Sequence, residues 1–283
     1  ILNYKKLKSY INLICSIIIL NRIKLSNLFL LIFQFPFLKR KYGMCLSGNY
    51  QTYEEAKNNS IGYDNPLILK KVLNATLNVL VGSYPYERDG TNFKRRPKKL
   101  KIREILKSIN KDKLNIVDFG GSLGSNYLNN IDLFHKNTSY TIIEQENFVN
   151  EGLKIKARFN LPINFLSNIN ELNSKTDILI LSSVINYIPN LEDIIKSINS
   201  IRPKLIIIDR TAFTFKKTEN WMIQHEPTYY SVPISYPLRP LNIDKLLKKL
   251  NKYRPVKTWV NRFDAKYPIH RGILLKDKFY NIF

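Results

Sequence analysis

Cysteine, histidine, glycine and acid are all scarce in this chain. Its 283 residues hold two cysteines, Cys15 and Cys45. That is too few for a disulfide framework, so a reducing compartment, the cytoplasm, is the expected setting. The three histidines, His135, His225 and His270, show no H-x-x-H spacing and there is no C-x-x-C pair, so a metal site is not expected. No uninterrupted apolar run reaches the roughly 18 to 20 residues of a bilayer-crossing helix. Asp+Glu 22 against Lys+Arg 45 leaves a net charge of +23. Such an excess favours phosphorylated substrates, nucleic acid or an anionic membrane surface without choosing among them. The wealth of Asn, Ile and Lys is what an AT-rich coding sequence produces, so part of the excess needs no functional reason. Of only ten glycines, three (Gly120, Gly121 and Gly124) fall within five residues.

That cluster lies in residues 114–127, LNIVDFGGSLGSNY. An apolar run, Ile116 and Val117, ends in Asp118, passes into the glycines and resumes as an amphipathic pattern from Ser125. The pattern predicts a buried strand, a tight turn and a helix start. Glycine admits positive φ and keeps Cβ atoms away from an approaching ligand, while the amides that open a helix lack intrahelical partners. The spacing is G-G-x-x-G and not the G-x-G-x-x-G of dinucleotide sites. The next strand-like run ends in Glu144, followed by Gln145, about twenty residues on, where an acid accepts the two hydroxyls of a ribose. Together these features point to a nucleoside-type ligand; a plain strand-to-helix turn is the alternative.

With 44% hydrophobic residues the chain can bury the core of one large α/β domain with additions. Residues 114–283 carry strand-like runs at 115–119, 140–144, 163–166, 177–182 and 204–208, the last running into Asp209. Helical patterns from Ser125, at 148–158 and at 191–201 separate them. This alternation predicts a mostly parallel sheet with helices on both faces, and runs at 259–263 and 272–275 predict an antiparallel C-terminal edge. Ligands of such sheets sit beyond the carboxyl ends of the strands. That rule singles out Asp118 with the glycines, Glu144 and Gln145, Ser167 and Asn168, Ser182 and Ser183 with Asn186 and Tyr187, and Asp209 with Arg210. A cap or a turn would account for any one of them, but five consecutive polar strand ends form a stronger pattern. Ahead of this core, residues 42–113 predict helices at 67–81 and 100–109 around a polar loop, 83–90, that carries Tyr86, Glu87, Arg88 and Asp89. The tail after Arg210, rich in aromatics and proline, reads as a cap over the sheet.

Residues 1–41 are different in kind. Apolar runs at 11–20 and 28–38 are divided by Asn21, Arg22 and Lys24 and flanked by lysines. Such a segment fits the headgroup layer of an anionic membrane, which would make the inner membrane a peripheral partner. It also fits a helical arm docked on the core, or a signal segment. The signal reading is opposed by FPFLKRK, which stands where a small-residue cleavage site belongs.

Seven stretches, taken together, resemble a family of class I S-adenosylmethionine-dependent methyltransferases found among bacterial surface-polysaccharide genes. They are GYD at 62–64, YERDG at 86–90, VDFGGSLG at 117–124, IIEQ at 142–145, LSSVINYI at 181–188, IDRTAF at 208–213 and SYPLR at 235–239. The resemblance covers about residues 48–275. It implies a Rossmann-like class I methyltransferase fold, S-adenosyl-L-methionine as cofactor, and a sugar or sugar-derived acceptor, small or lipid-linked. By the same resemblance Asp118, Gly120, Gly121 and Gly124 would hold the methionine part of the cofactor. Glu144, with Gln145 beside it, would take the ribose hydroxyls, Ser167 or Asn168 the adenine, and Ser182 and Ser183 would form the floor.

A sulfonium is already an activated methyl donor, so alignment and exclusion of water suffice, and no metal or covalent nucleophile is required. A sugar hydroxyl as acceptor needs a general base within hydrogen-bond reach, for which Asp209, Glu87, Asp89 and His225 are the candidates. Arg88 and Arg210 would grip an acidic or phosphorylated sugar by a guanidinium fork. The other reading makes Glu87, Arg88 and Asp89 an ion-pair network that positions their loop. The turn departs from the usual G-x-G-x-G by Ser122 and Leu123 ahead of Gly124, which leaves the carboxylate contact open. A nucleic-acid methyltransferase is the runner-up on charge, opposed by a fourth strand that ends in Ser-Ser and not in N-P-P-[YF]. A cofactor-binding module without catalysis is the third reading.

Overall fold

The computed structural model describes residues 45–62, 65–97, 99–109, 111–226, 234–261 and 270–280. Residues 1–41, with all three readings of them, lie outside the described residues. Among the described residues no helix is long and apolar enough to cross a membrane.

The first element among the described residues is a strand, β1 (Cys45–Tyr50), where the sequence shows no strand pattern. Helix α1 (Tyr53–Asn58) is opened by a capping box in which Thr52 and Glu55 satisfy each other's backbone amides. Helix α2 (Pro66–Leu80) starts at Asn65, whose side chain accepts from the Leu67 amide, with Pro66 at the first helical position where its missing N–H is not needed. The polar loop is a hairpin, β2 (Tyr86–Arg88) and β3 (Thr91–Phe93), closed by Asp89 and Gly90. Both turn residues have positive φ, +50° and +75°, as a two-residue hairpin turn of the twisted kind requires. Helix α3 (Lys101–Lys107) then leads into the core.

The main sheet grows outward from β4 (Asn115–Phe119). After it come the short helix α4 (Ser125–Leu128), β5 (Ser139–Ile143), α5 (Glu146–Phe159), β6 (Ile163–Leu166), β7 (Ile178–Ser182), α6 (Leu191–Ile201) and β8 (Leu205–Thr214). Strand β4 pairs in parallel with β5 on one side and β7 on the other; β6 lies beyond β5 and β8 beyond β7, all parallel. The chain therefore winds outward from β4 through β5 and β6, then returns to fill β4's other side. That reversal is a switch point, where an open parallel sheet leaves a crevice at the strands' carboxyl ends. The glycine turn leaves β4 at this crevice.

The tail supplies β9 (Trp221–Glu226), β10 (Ile234–Leu238), the two-residue β11 (Leu241–Asn242), α7 (Ile243–Lys249), β12 (Tyr253–Val260) and β13 (His270–Asp277). β13 runs antiparallel to β8, and β12 antiparallel to β13, so the sheet order is β12-β13-β8-β7-β4-β5-β6. Five parallel strands with an antiparallel hairpin on one edge make the Rossmann-like methyltransferase arrangement; β13 covers the expected run 272–275, whereas β12 lies earlier than the expected run 259–263 and shares only residues 259–260 with it. β9 pairs with β1 and β10 in a separate antiparallel sheet of order β1-β9-β10.

Strands buried on both faces read as continuous apolar runs. In β7, Ile178, Leu179, Ile180 and Leu181 are each exposed by 1% or less. One face of the sheet packs Ile116, Ile142, Ile180 and Ile207 against Ile102 and Ile105 of α3. The other packs Val117, Leu179, Ile206 and Ile208 against Leu191, Ile195 and Ile198 of α6 and Leu246 of α7. The helix expected from Ser125 lasts one turn. Asn126, Asn129 and Asn130 follow its start, and the side chain of Asn130 bonds the Asn126 carbonyl at 2.7 Å, the local competition that makes Asn a poor helix former.

Candidate functional site

Beyond β4 the backbone turns sharply. Gly120 has φ +72° and its N–H donates to the Ile143 carbonyl of β5 at 2.8 Å. A Cβ on Gly121 would stand 2.7 Å from the carboxyl carbon of Asp118, so only glycine lets the chain pass over that side chain. Ser122 also takes a positive φ, +56°, and its N–H donates to Oε1 of Glu144 at 3.2 Å. Gly124 heads α4. The turn is thus pinned twice to the neighbouring strand, once by backbone and once by the acid that ends β5.

Asp118 has no exposed surface. The Tyr140 hydroxyl donates to its Oδ2 at 2.8 Å, and the Asn126 amide donates at 3.2 Å. Burial pushes its carboxyl up to about 7, against the two hydrogen bonds and with the Glu144 charge adding to the rise. It braces the turn from beneath. Glu144 is half-buried, and its Oε2 accepts from the Gln145 amide at 2.8 Å. Burial raises its carboxyl as well, held back by those backbone N–H groups. Gln145 is exposed at the start of α5.

Ser167 and Asn168, after β6, are exposed and used locally: Ser167 bonds Glu171 at 3.0 Å, and Asn168 accepts from the Asn170 amide at 2.9 Å. Ser182 ends β7 in register with Asp209 of β8. Ser183, at φ +56°, donates its N–H to the Asp209 carbonyl at 2.9 Å. Parallel register therefore lines up these strand ends along one edge of the sheet.

At Asp209 the pairing between β8 and β13 slips by one residue, from Ile208 opposite Ile273 to Thr211 opposite Arg271. This bulge re-aims the two residues it contains. Asp209 is buried, and its Oδ1 accepts from Trp259 Nε1 at 2.7 Å and Asn261 Nδ2 at 2.9 Å. Arg210, at φ +51°, points at the hairpin and forks onto Asp89, with Nη1 to Oδ1 at 3.0 Å. Burial works to raise the Asp89 carboxyl, but the charge and hydrogen bonds of Arg210, with Arg88 behind, hold it below the usual carboxylate range.

Glu87 faces the opposite way and has no exposed surface. Its Oε2 accepts from the Gly90 amide at 3.3 Å, and Asn129 at the end of α4 donates to its carbonyl at 3.1 Å. Burial pushes its carboxyl up to about 7, opposed first by the Ser125 hydroxyl. The hairpin is therefore fastened at its base to α4 and at its tip to β8, and it overhangs the edge where the strand ends gather.

His225 stands apart. On β9 it alternates with Gln224, so the two point to opposite faces of the small sheet. The His225 ring bonds the Ser47 hydroxyl at 2.7 Å, and burial lowers its pKa. Gln224 faces the site, accepting from the Tyr187 hydroxyl at 2.9 Å and donating to the Tyr236 hydroxyl at 3.0 Å. Fully buried Asn186 ties the loop after β7 to Ala212 and to the Arg239 carbonyl.

Sequence reasoning passed over Tyr140, Trp259, Asn261 and Gln224. The aromatic and amide partners carry no local spacing signal, whereas Asp89-Gly90 is a recognised hairpin dipeptide. Six described non-glycine residues have positive φ. Asn160 and Arg202 cap the ends of α5 and α6, and the other four, Asp89, Ser122, Ser183 and Arg210, all lie at this edge. Left-handed non-glycine backbone of this kind tends to cluster at active sites and ligand clamps in proteins generally.

No protein-family model matches the chain, and no curated protein matches it in sequence. Solved structures match at low identity. A 1,6-didemethyltoxoflavin-N1-methyltransferase of Burkholderia thailandensis, crystallised with S-adenosylhomocysteine, is 12% identical at a TM-score of 0.44, over 62% of this chain and 76% of that one. An S-adenosylmethionine-dependent methyltransferase of Clostridium acetobutylicum is 16% identical at 0.44, over 62% and 88%. A glycopeptide N-methyltransferase complexed with sinefungin is 13% identical at 0.46, over 61% and 83%.

Proposed function

We propose that the chain is an S-adenosyl-L-methionine-dependent methyltransferase whose acceptor is a sugar or sugar-derived molecule of bacterial surface-polysaccharide synthesis. The observation that carries the reading is the glycine turn at the switch point with Glu144 bonded across to Ser122. Each oxygen of Glu144 takes one backbone N–H and keeps a lone pair for a ribose hydroxyl. Gly120 and Gly121 keep the turn free of side chains, Asp118 holds it from below, and Ser182 and Ser183 flank it. Ser167 and Asn168 stand by the next strand end, on the adenine side in this reading.

When bound, the cofactor supplies a methyl group on a sulfonium. The chain's residues must align the acceptor and accept its proton. Asp209 is the candidate for the proton, since Trp259 and Asn261 fix its orientation at the edge. Glu87, closed off from solvent, fits a positioning role for the hairpin. The sugar acceptor is supported by the YERDG and IDRTAF stretches, which meet at this edge through Arg210 and Asp89.

Calorimetry with S-adenosylhomocysteine tests the cofactor: the full chain should bind it, and Glu144→Ala should lose at least about tenfold in affinity, roughly the loss of two good hydrogen bonds. Equal affinity in wild type and variant would overturn the assignment of Glu144. For the acceptor, surface glycans of a strain lacking the chain should lack a methylated sugar that its parent carries. For residues 1–41 we propose contact with an anionic membrane, expected as sedimentation with anionic liposomes that disappears when they are deleted.

A further inference from the structure

Arg239, the last residue of the SYPLR stretch, follows β10, and its guanidinium takes no part in the bonds of the strand-end edge. Its backbone is held firmly: its N–H donates to the Asn186 carbonyl at 2.8 Å, and the Asn186 side chain donates to its carbonyl at 2.8 Å. The guanidinium lies over the ring of Trp221, 4.7 Å from the centroid, and Tyr53 of α1 meets the same ring edge-on. Trp221 shares a face of β9 with His225, so the pair stands on the side of the small sheet turned away from Gln224. Arg239 is half-buried, and its Nε, sealed from solvent, has no hydrogen-bond partner. Arg103, Arg202 and Arg210 each fork onto a carboxylate. Among the described residues none comes within ion-pair distance of Arg239. Glu219 and Glu192 act on it through their charges alone, and both are engaged elsewhere: Glu219 accepts from the Asn242 amide and Glu192 pairs with Lys249. Burial lowers the guanidinium below its ordinary pKa, and these two charges oppose the fall without cancelling it. Stacking on an indole favours the cation but gives its N–H groups no acceptor. A guanidinium drawn out of water on a fixed backbone with no counter-ion lacks an anion.

We propose that Arg239, backed by Trp221, is a seat for the carboxylate of a small acidic ligand such as a uronic acid. A guanidinium fork matches a carboxylate in two-point geometry. Phosphate has the same fit but carries more negative charge at neutral pH, which Glu219 and Glu192 repel more strongly than the single charge of a carboxylate. The seat does not depend on the methyltransferase reading.

Tryptophan fluorescence reads the seat directly, since Trp221, beneath the guanidinium, is one of only two tryptophans. D-glucuronate titrated into the full chain at constant ionic strength should give a saturable change. D-glucose, which lacks the carboxylate, should give none, and inorganic phosphate should require a higher concentration. Arg239→Gln should weaken glucuronate binding at least about tenfold. A second reading uses the wild-type chain alone: glucuronate should slow phenylglyoxal labelling of Arg239, measured by peptide mass mapping. No saturation by glucuronate, an equal response to D-glucose, equal affinity in Arg239→Gln, or labelling that glucuronate leaves unchanged overturns the proposal. Tighter binding of phosphate than of glucuronate overturns the assignment to a carboxylate.

Discussion

Trp259 of β12 reaches Asp209 of β8 across an intervening strand. Its indole passes over Gly272 of β13, where a Cβ would stand 1.9 Å from the ring, and donates to Oδ1 at 2.7 Å. The antiparallel edge therefore does more than extend the sheet: it fixes the orientation of the acid at the end of the fifth parallel strand.

Replacing that donor tests the link. Trp259→Phe keeps a ring but strands the carboxylate with Asn261 alone, and should lower stability by about 1 to 3 kcal/mol. Gly272→Ala, which forces the indole aside, should cost a similar amount. Urea unfolding of both variants measures this; midpoints equal to wild type would show that the contact contributes nothing.

Gly121→Ala places a methyl group against the Asp118 carboxyl carbon. The turn must shift or Asp118 must leave its bonds with Tyr140 and Asn126. A loss of about 1 to 3 kcal/mol in stability is expected, together with weaker binding of S-adenosylhomocysteine by calorimetry. Full retention of both would mean the turn has more slack than its contacts indicate.

Sequence and structure agree best where apolar residues leave a local pattern. β4, β6 and α6 fall on the expected residues, and β5, β7 and α5 within two: the inner strands are largely apolar runs, the edge strand β6 alternates buried Ile163 and Phe165 with exposed Asn164, and the helices carry one apolar stripe. The small sheet leaves none. β1 contains Ser47, Gly48 and Asn49, β10 contains Pro237, and the register pairs Cys45 with His225, so its stability comes from distant partners. The hairpin reads in the sequence only as a polar loop, because strands of three residues are too short to show alternation. The site divides the same way. The glycine turn and Glu144 are neighbours along adjacent strands and announce themselves, whereas the closing of Asp118 by Tyr140 and of Asp209 by Trp259 depends on side chains meeting across the fold.

Gln224 links the two sheets through Tyr187 and Tyr236. Gln224→Leu keeps the volume but gives neither hydroxyl an amide partner, and a loss of about 1 to 3 kcal/mol follows if the bridge matters. Gln224→Glu retains an acceptor for Tyr187 and adds a buried charge, so its loss should exceed that of Leu at pH 8 and shrink at pH 5. Denaturant midpoints at the two pH values decide it.

Glu87 gives a prediction whose sign is fixed by its burial. In the unfolded chain its carboxyl titrates near 4.5, and in the folded chain burial raises it to about 7. Below pH 4.5 both states carry the proton, so the group adds no pH dependence. Between 4.5 and 7 the unfolded chain releases the proton while the folded chain keeps it, so the folded state loses stability as pH rises. Above 7 both are ionised, and the full penalty, on the order of 3 kcal/mol at most, is in place. Glu87→Gln removes this group and keeps an oxygen for the Gly90 amide. Relative to wild type, the variant should therefore become more stable on going from pH 5 to pH 8, read as the difference between their urea unfolding free energies at each pH. A difference that stays constant, or moves the other way, would mean that Glu87 is ionised throughout and is held by the Ser125 and Gly90 hydrogen bonds and the Arg210 charge more strongly than burial opposes it.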